Sequence, residues 1–177
     1  YGIISPEELQ KLYTYRQRNW KKVRHVRRDV TNSLDVLKAF GSGPDVVIHL
    51  ASYPRAKIVN ADPMIGVQNI IGGTVNLLWH CEKLAVKKFV LTAERFVKHD
   101  HKQYKLNYAV VRPSGVFGPG DMEDRVLSKF FAKAMKNENI EVHDGANKVD
   151  FTYIDDTADG IIKASLSDVN NRSFNIT

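Results

Sequence analysis

Short apolar runs bounded by polar turns alternate along this chain with longer segments of helical period, the pattern of a parallel sheet covered by helices. Strands are predicted over residues 23–26, 46–51, 87–92 and 108–112. The last three are apolar on successive residues, as strands buried on both faces are. The clearest helix covers residues 63 to about 84. Asp62 can cap it, and proline at 63 suits its first turn. Within it Met64, Val67, Ile71, Thr74, Leu78 and Cys81 recur at steps of three and four, so they are expected to share one buried face. Ser33–Phe40 reads as a shorter helix closed by Gly41-Ser42-Gly43-Pro44. Further helices are expected over residues 122–136 and 156–166. The fold class is therefore α/β.

Composition narrows the class of protein. With 177 residues and 43% hydrophobic residues, the chain can bury one sizeable core. The single cysteine, Cys81, cannot form an internal disulfide and reads as a core residue, and no Cys/His cluster has zinc spacing. No apolar run approaches the roughly 20 residues of a membrane span, and no signal-peptide layout opens the chain. A cytoplasmic protein without a membrane partner is the expectation. The formal net charge is +6. Much of it comes from Arg16, Arg18, Lys21, Lys22, Arg24, Arg27 and Arg28, which read as a solvated face or as a surface for anionic ligands.

Two passages carry candidate chemistry. In Arg28-Asp29-Val30-Thr31-Asn32 a carboxylate precedes a helix. It can accept an adenine amino group while the next backbone amide meets a ring nitrogen; equally, Asp29 and Asn32 can serve as turn and cap. The run Asp45-Val46-Val47-Ile48-His49-Leu50-Ala51-Ser52 ends in small residues, and the carboxyl end of a strand is where open α/β sheets bind cofactors.

Further along stand Asp62-Pro63, Asn69 with Gly72-Gly73-Thr74, Val75-Asn76-Leu77-Leu78, Val86-Lys87-Lys88-Phe89-Val90, Arg112-Pro113-Ser114-Gly115-Val116-Phe117-Gly118-Pro119-Gly120-Asp121 and Asp150-Phe151-Thr152-Tyr153-Ile154-Asp155-Asp156. This ordered set resembles the extended short-chain dehydrogenases/reductases, the NAD-dependent epimerase/dehydratase family typified by UDP-glucose 4-epimerase-like enzymes. The resemblance implies a Rossmann-type doubly wound parallel sheet with a small C-terminal substrate-binding portion, divided as residues 1–120 and 121–177. It implies NAD as cofactor, with Asp29 and Val30 at the adenine, and Leu50, Ala51 and Ser52 along the ribose and pyrophosphate. Asn69 would brace the catalytic strand or touch the cofactor. Thr92 would lie beside the nicotinamide ribose, and Pro113 and Val116 at the nicotinamide. The implied activity is epimerisation or dehydration of a nucleoside-diphosphate sugar through a transient keto intermediate and Tyr/Lys-assisted hydride transfer, by a homodimer. The second apolar stripe of the long helix, Ile70, Leu77 and Leu84, would supply the dimer face. No nucleic acid is implied.

Departures from the family pattern bear on the chemistry. The first strand with its glycine-rich phosphate turn is not found, and Gly41-Ser42-Gly43 follows a helix rather than a strand. The Ser/Thr and Tyr-x-x-x-Lys set is expected in a gap between Thr92 and Ala93, where a strand meets a helical segment without a turn, so no catalytic residue is named. Tyr53-Pro54-Arg55-Ala56-Lys57 matches the spacing, but Pro54 argues against a helix there. Asn69 stands four residues before Gly73 rather than three, so the helix register shifts or Gly72 is the matching glycine. Gly115 replaces a phosphate-binding Asn and Val149 an Arg, which opens a second reading, a hydroxysteroid- or flavonoid-type NAD(P)-dependent reductase. A third is a non-catalytic dinucleotide-binding module.

Overall fold

The computed structural model describes residues 22–51, 62–92, 106–119, 121, 125–142 and 149–177. Four strands, β1 (Val46–His49), β2 (Lys88–Leu91), β3 (Tyr108–Pro113) and β6 (Arg172–Ile176), pair in parallel in the order β1-β2-β3-β6. A second parallel pair joins β4 (Gly115–Phe117) to β5 (Phe151–Tyr153).

Strand side chains alternate between the sheet's two faces, and both faces are covered. Phe89, Leu91, Tyr108 and Val110 pack with Val36 of helix α1 (Ser33–Phe40) and with Leu77, Leu78 and Cys81 of a later helix. Val90, Ala109 and Val111 point the other way, onto Ile161 and Ala164 near the C-terminus. Burial on two sides explains why all four residues of β2 lose contact with water, and the architecture is the Rossmann-like α/β sheet expected.

Helix α1 follows its local signals. The Asn32 side chain accepts from the amides of Leu34 and Asp35, and Gly41, at φ 55°, closes the helix with its N–H on Leu37 O. The long helix starts with α2 (Pro63–Gly66), where Asp62 accepts from the Met64 amide, and ends with α3 (Gly73–Lys83). Between them Val67–Gly72 is a π-helical segment. The sequence reading of this helix is thereby corrected. A π segment absorbs one extra residue, which turns the face leading into Thr74, Leu78 and Cys81 by one position. Gly66 is buried, and Met64 and Val67 are exposed.

Three more expectations change. Residues 23–26 are not a strand: they are exposed and join neither sheet among the described residues, and a strand exists only as a paired element. Leu77 does not join an outward stripe, because it is 6% exposed in the protein's own core; the outward face of α3 carries Val75 and Trp79 instead. Helix α4 covers Val126–Met135, and α5 (Ile154–Leu166) begins directly after β5, two residues earlier than predicted. Both α5 and β6 come from the C-terminal portion yet complete the main sheet.

Candidate functional site

Because the main strands are parallel, their carboxyl ends share one rim. His49 pairs with Leu91, and Leu91 with Val110, so Leu50 and Ala51 leave the sheet beside Thr92, with Pro113 further along the same edge. Asp29 and Val30 join this rim from the side. Together with Leu50 and Ala51 they line one open cleft whose apolar wall includes Val36 and Phe40. Val116 lies on β4, paired with Thr152. Ser52, the Tyr53 to Lys57 match and the segment from Ala93 lie outside the described residues, so the Thr92–Ala93 junction does too.

Of the two roles open to it, Asp29 fills that of the turn residue. One carboxylate oxygen accepts from the Thr31 amide and the Thr31 hydroxyl, each at 2.8 Å, and these bonds hold its pKa below the ordinary carboxylate range. The Asp29 amide donates to the Asp35 carboxylate at 3.1 Å. The turn role thus uses one oxygen, and the other has no partner among the described residues. Asn69 sits on the π segment with its amide donating to Ile65 O at 2.8 Å, within its own helix.

Helix α3 reaches both parts of the rim through residues whose motif the sequence displayed without revealing their role. The Asn76 amide donates to Val30 O at 2.7 Å. Gly73 lies so close to Val30 that an added Cβ would stand 2.8 Å from Val30 Cγ2. Thr74 donates its hydroxyl to Ile70 O at 2.6 Å, and His49 Nε2 lies 3.0 Å from Thr74 Oγ1. With the threonine proton already engaged, His49 is the donor of that pair. Burial pushes the His49 imidazole below its ordinary pKa. The Cys81 thiol, fully buried, is pushed up to about 12 and is chemically inert at neutral pH.

Where the two sheets meet, Ile176 O accepts from the Ser114 amide at 3.0 Å and from the Thr152 hydroxyl at 3.2 Å, which leaves the Ser114 hydroxyl to donate to Thr152 Oγ1. A Cβ at Gly115 would stand 2.9 Å from the Phe151 ring and 3.1 Å from Asp150 O, so the position admits no side chain without movement of β5. Val149 beside it is 61% exposed. Among the described residues no group of His, Cys, Asp or Glu could hold a metal ion, and no helix is long and apolar enough to cross a membrane.

Two family models match the chain. The NAD dependent epimerase/dehydratase family matches residues 91–177, and a family described as polysaccharide biosynthesis protein matches residues 4–95. The chain is 26% identical to a decarboxylating sterol-4-alpha-carboxylate 3-dehydrogenase of Candida albicans, over 97% of this chain and 59% of that protein. It is 29% identical to a UDP-glucuronate 4-epimerase of Thermodesulfobacterium geofontis, over 84% of this chain and 56% of that protein. It therefore spans less than two thirds of the length of these relatives. Among solved structures, the UDP-glucuronic acid 4-epimerase of Bacillus cereus, in complex with UDP-glucuronic acid and NAD, superposes with a TM-score of 0.76 at 22% identity, covering 96% of this chain and 64% of that one. The two matched regions meet near the end of β2 and between them take in the whole sheet, and the chain belongs to the NAD-dependent epimerase/dehydratase family of extended short-chain dehydrogenases/reductases.

Proposed function

We propose that this chain is the cofactor-binding core of an NAD-dependent enzyme that converts a nucleoside-diphosphate sugar through a transient keto form. The observation that carries the proposal is the shared cleft of Asp29, Val30, Leu50 and Ala51 at the carboxyl rim of a parallel sheet. Its donor and acceptor set fits an adenine dinucleotide. The unengaged oxygen of Asp29 accepts the adenine amino group, the Val30 N–H meets a ring nitrogen, and Val36 and Phe40 give the ring an apolar wall. Leu50, Ala51 and Ser52 line the path of the ribose and pyrophosphate, and Asn69 flanks it. Thr92, Pro113 and Val116 border the nicotinamide end. Bound there, NAD supplies the acceptor and donor of a hydride beside the substrate carbon. The substrate role falls to β4, β5 and α4, while β6 and α5 belong with the cofactor sheet.

Titration of the purified protein with NAD tests the reading. We expect saturable binding, and Asp29→Ala to weaken it about tenfold, the size of one lost hydrogen bond to a charged group. Failure to bind any nicotinamide dinucleotide would overturn it.

A second reading, a hydroxysteroid-type dehydrogenase, is favoured by Gly115 and Val149, which offer the substrate side an apolar wall without a phosphate ligand. Turnover of UDP-, GDP- or dTDP-sugars against sterol alcohols separates the two. A homodimer is proposed through the outward face of α3, where Val75 and Trp79 are about half exposed; a monomer in light scattering would end that idea. The buried free thiol of Cys81 fits a reducing, cytoplasmic compartment.

A further inference from the structure

Among the described residues the segment ahead of Asp29 joins neither sheet, and no backbone ladder there fixes where the Asp29-Val30 dipeptide stands. Side chains do so instead. On one flank the Asp35 carboxylate takes the Asp29 amide at 3.1 Å. On the other the Asn76 amide takes Val30 O at 2.7 Å, while Gly73 closes the space behind the Val30 side chain. Asn76 is itself fixed. Its carbonyl accepts from His80 Nδ1 at 2.9 Å, and His80, 3% exposed, turns its Nε2 to the Ser33 hydroxyl at the start of α1, 3.4 Å away. A carbonyl only accepts, so His80 Nδ1 is the donor to Asn76 O.

We propose that Asn76 is a positioning residue for adenine recognition, holding the Val30 carbonyl so that the Asp29 carboxylate and the Val30 N–H face one edge of the base. The proposal rests on the dinucleotide reading above and adds a residue that touches no part of the ligand. Asn76 and Val30 are 46 positions apart, so the bond joins the turn before α1 to α3, while α1 takes its caps from Asn32 and Gly41. Its geometric effect is to set the dipeptide's distance from the cleft.

The test compares NAD with nicotinamide hypoxanthine dinucleotide, in which the adenine amino group is replaced by a carbonyl oxygen. An acceptor there faces the Asp29 carboxylate and is rejected. We expect the wild-type protein to prefer NAD by about tenfold. Asn76→Asp keeps the side-chain size but removes the N–H; it should lower NAD affinity about tenfold and bring the ratio of the two affinities close to one. Binding of the hypoxanthine analogue should change far less. A merely structural asparagine would lower both affinities alike and leave the ratio unchanged, which would overturn the proposal. So would a wild-type protein that binds both dinucleotides equally. Asn76→Ser, with the same expected ratio, serves if the aspartate variant does not fold. A wild-type protein that binds neither dinucleotide sinks the cofactor reading itself, whereas a discriminating variant sinks only the role of Asn76.

Discussion

His49 Nε2 stands 3.0 Å from Thr74 Oγ1, tying the carboxyl end of β1 to the first turn of α3. Both side chains are at least 95% shielded from water, so the bond has no solvent substitute when broken. Thr74→Val preserves the branched shape and removes only the oxygen, leaving a buried imidazole N–H without an acceptor. The expected loss is about 1–3 kcal/mol, read from the urea midpoint. An unchanged midpoint would refute the assigned donor and acceptor.

The same histidine makes stability depend on pH. Burial depresses its pKa in the folded protein, while the unfolded chain titrates near the ordinary value of 6.5. The unfolded state therefore takes up the proton first, and the contribution of neutral His49, complete above pH 6.5, declines as pH falls toward the folded value. Thermal melts between pH 7.5 and 5.5 should show a falling midpoint whose slope is reduced in His49→Gln.

Lys88 is a lysine in the middle of a sheet, 5% exposed, and its ammonium donates to Ser167 O at 2.8 Å and Val169 O at 3.0 Å, just past the end of α5. Desolvation pushes its pKa down, and Asp168 partly offsets this. A cation at a helix C-terminus complements the helix dipole. Lys88→Met fills the same volume but strands two carbonyls. A loss of about 1.5–3 kcal/mol is expected from denaturation curves, and Lys88→Met as stable as wild type would show that water takes over both carbonyls.

The π-helical turn yields a third kind of test. Deleting Gly72 removes the surplus residue and lets residues 63–83 run as one ordinary α-helix. The loss of a helical glycine favours the variant by on the order of 1 kcal/mol, seen as a higher melting temperature and a deeper 222 nm band. A drop of similar size would mean that the wide turn is needed where it stands.

How far the sequence could be read depends on the range of the interactions involved. Strands β1 to β3 were legible because residues such as Phe89 and Val110 are apolar without interruption, a signal carried by neighbours in the chain. Strands β4 and β5 have three residues each, too short for a period to show. Residues 23–26 have strand-like composition, but pairing is decided by a neighbour that composition does not contain. The helix face was misjudged at Met64 and Val67 because an assumed step of 3.6 residues fails at a π turn. Asp29, Val30, Leu50 and Ala51, distant in the chain, line one cleft. The roles of Asn76, Thr74 and Gly73 stayed hidden, since each depends on a partner that only the folded chain brings near.

The bonds converging on Ile176 O have a mechanical consequence. Two donors on that one oxygen, one from Ser114 and one from Thr152, rivet the small sheet to the last strand of the large one. The small sheet cannot swing as a loose flap. A displacement of β4 or β5 is carried through this seam into β3 and β6.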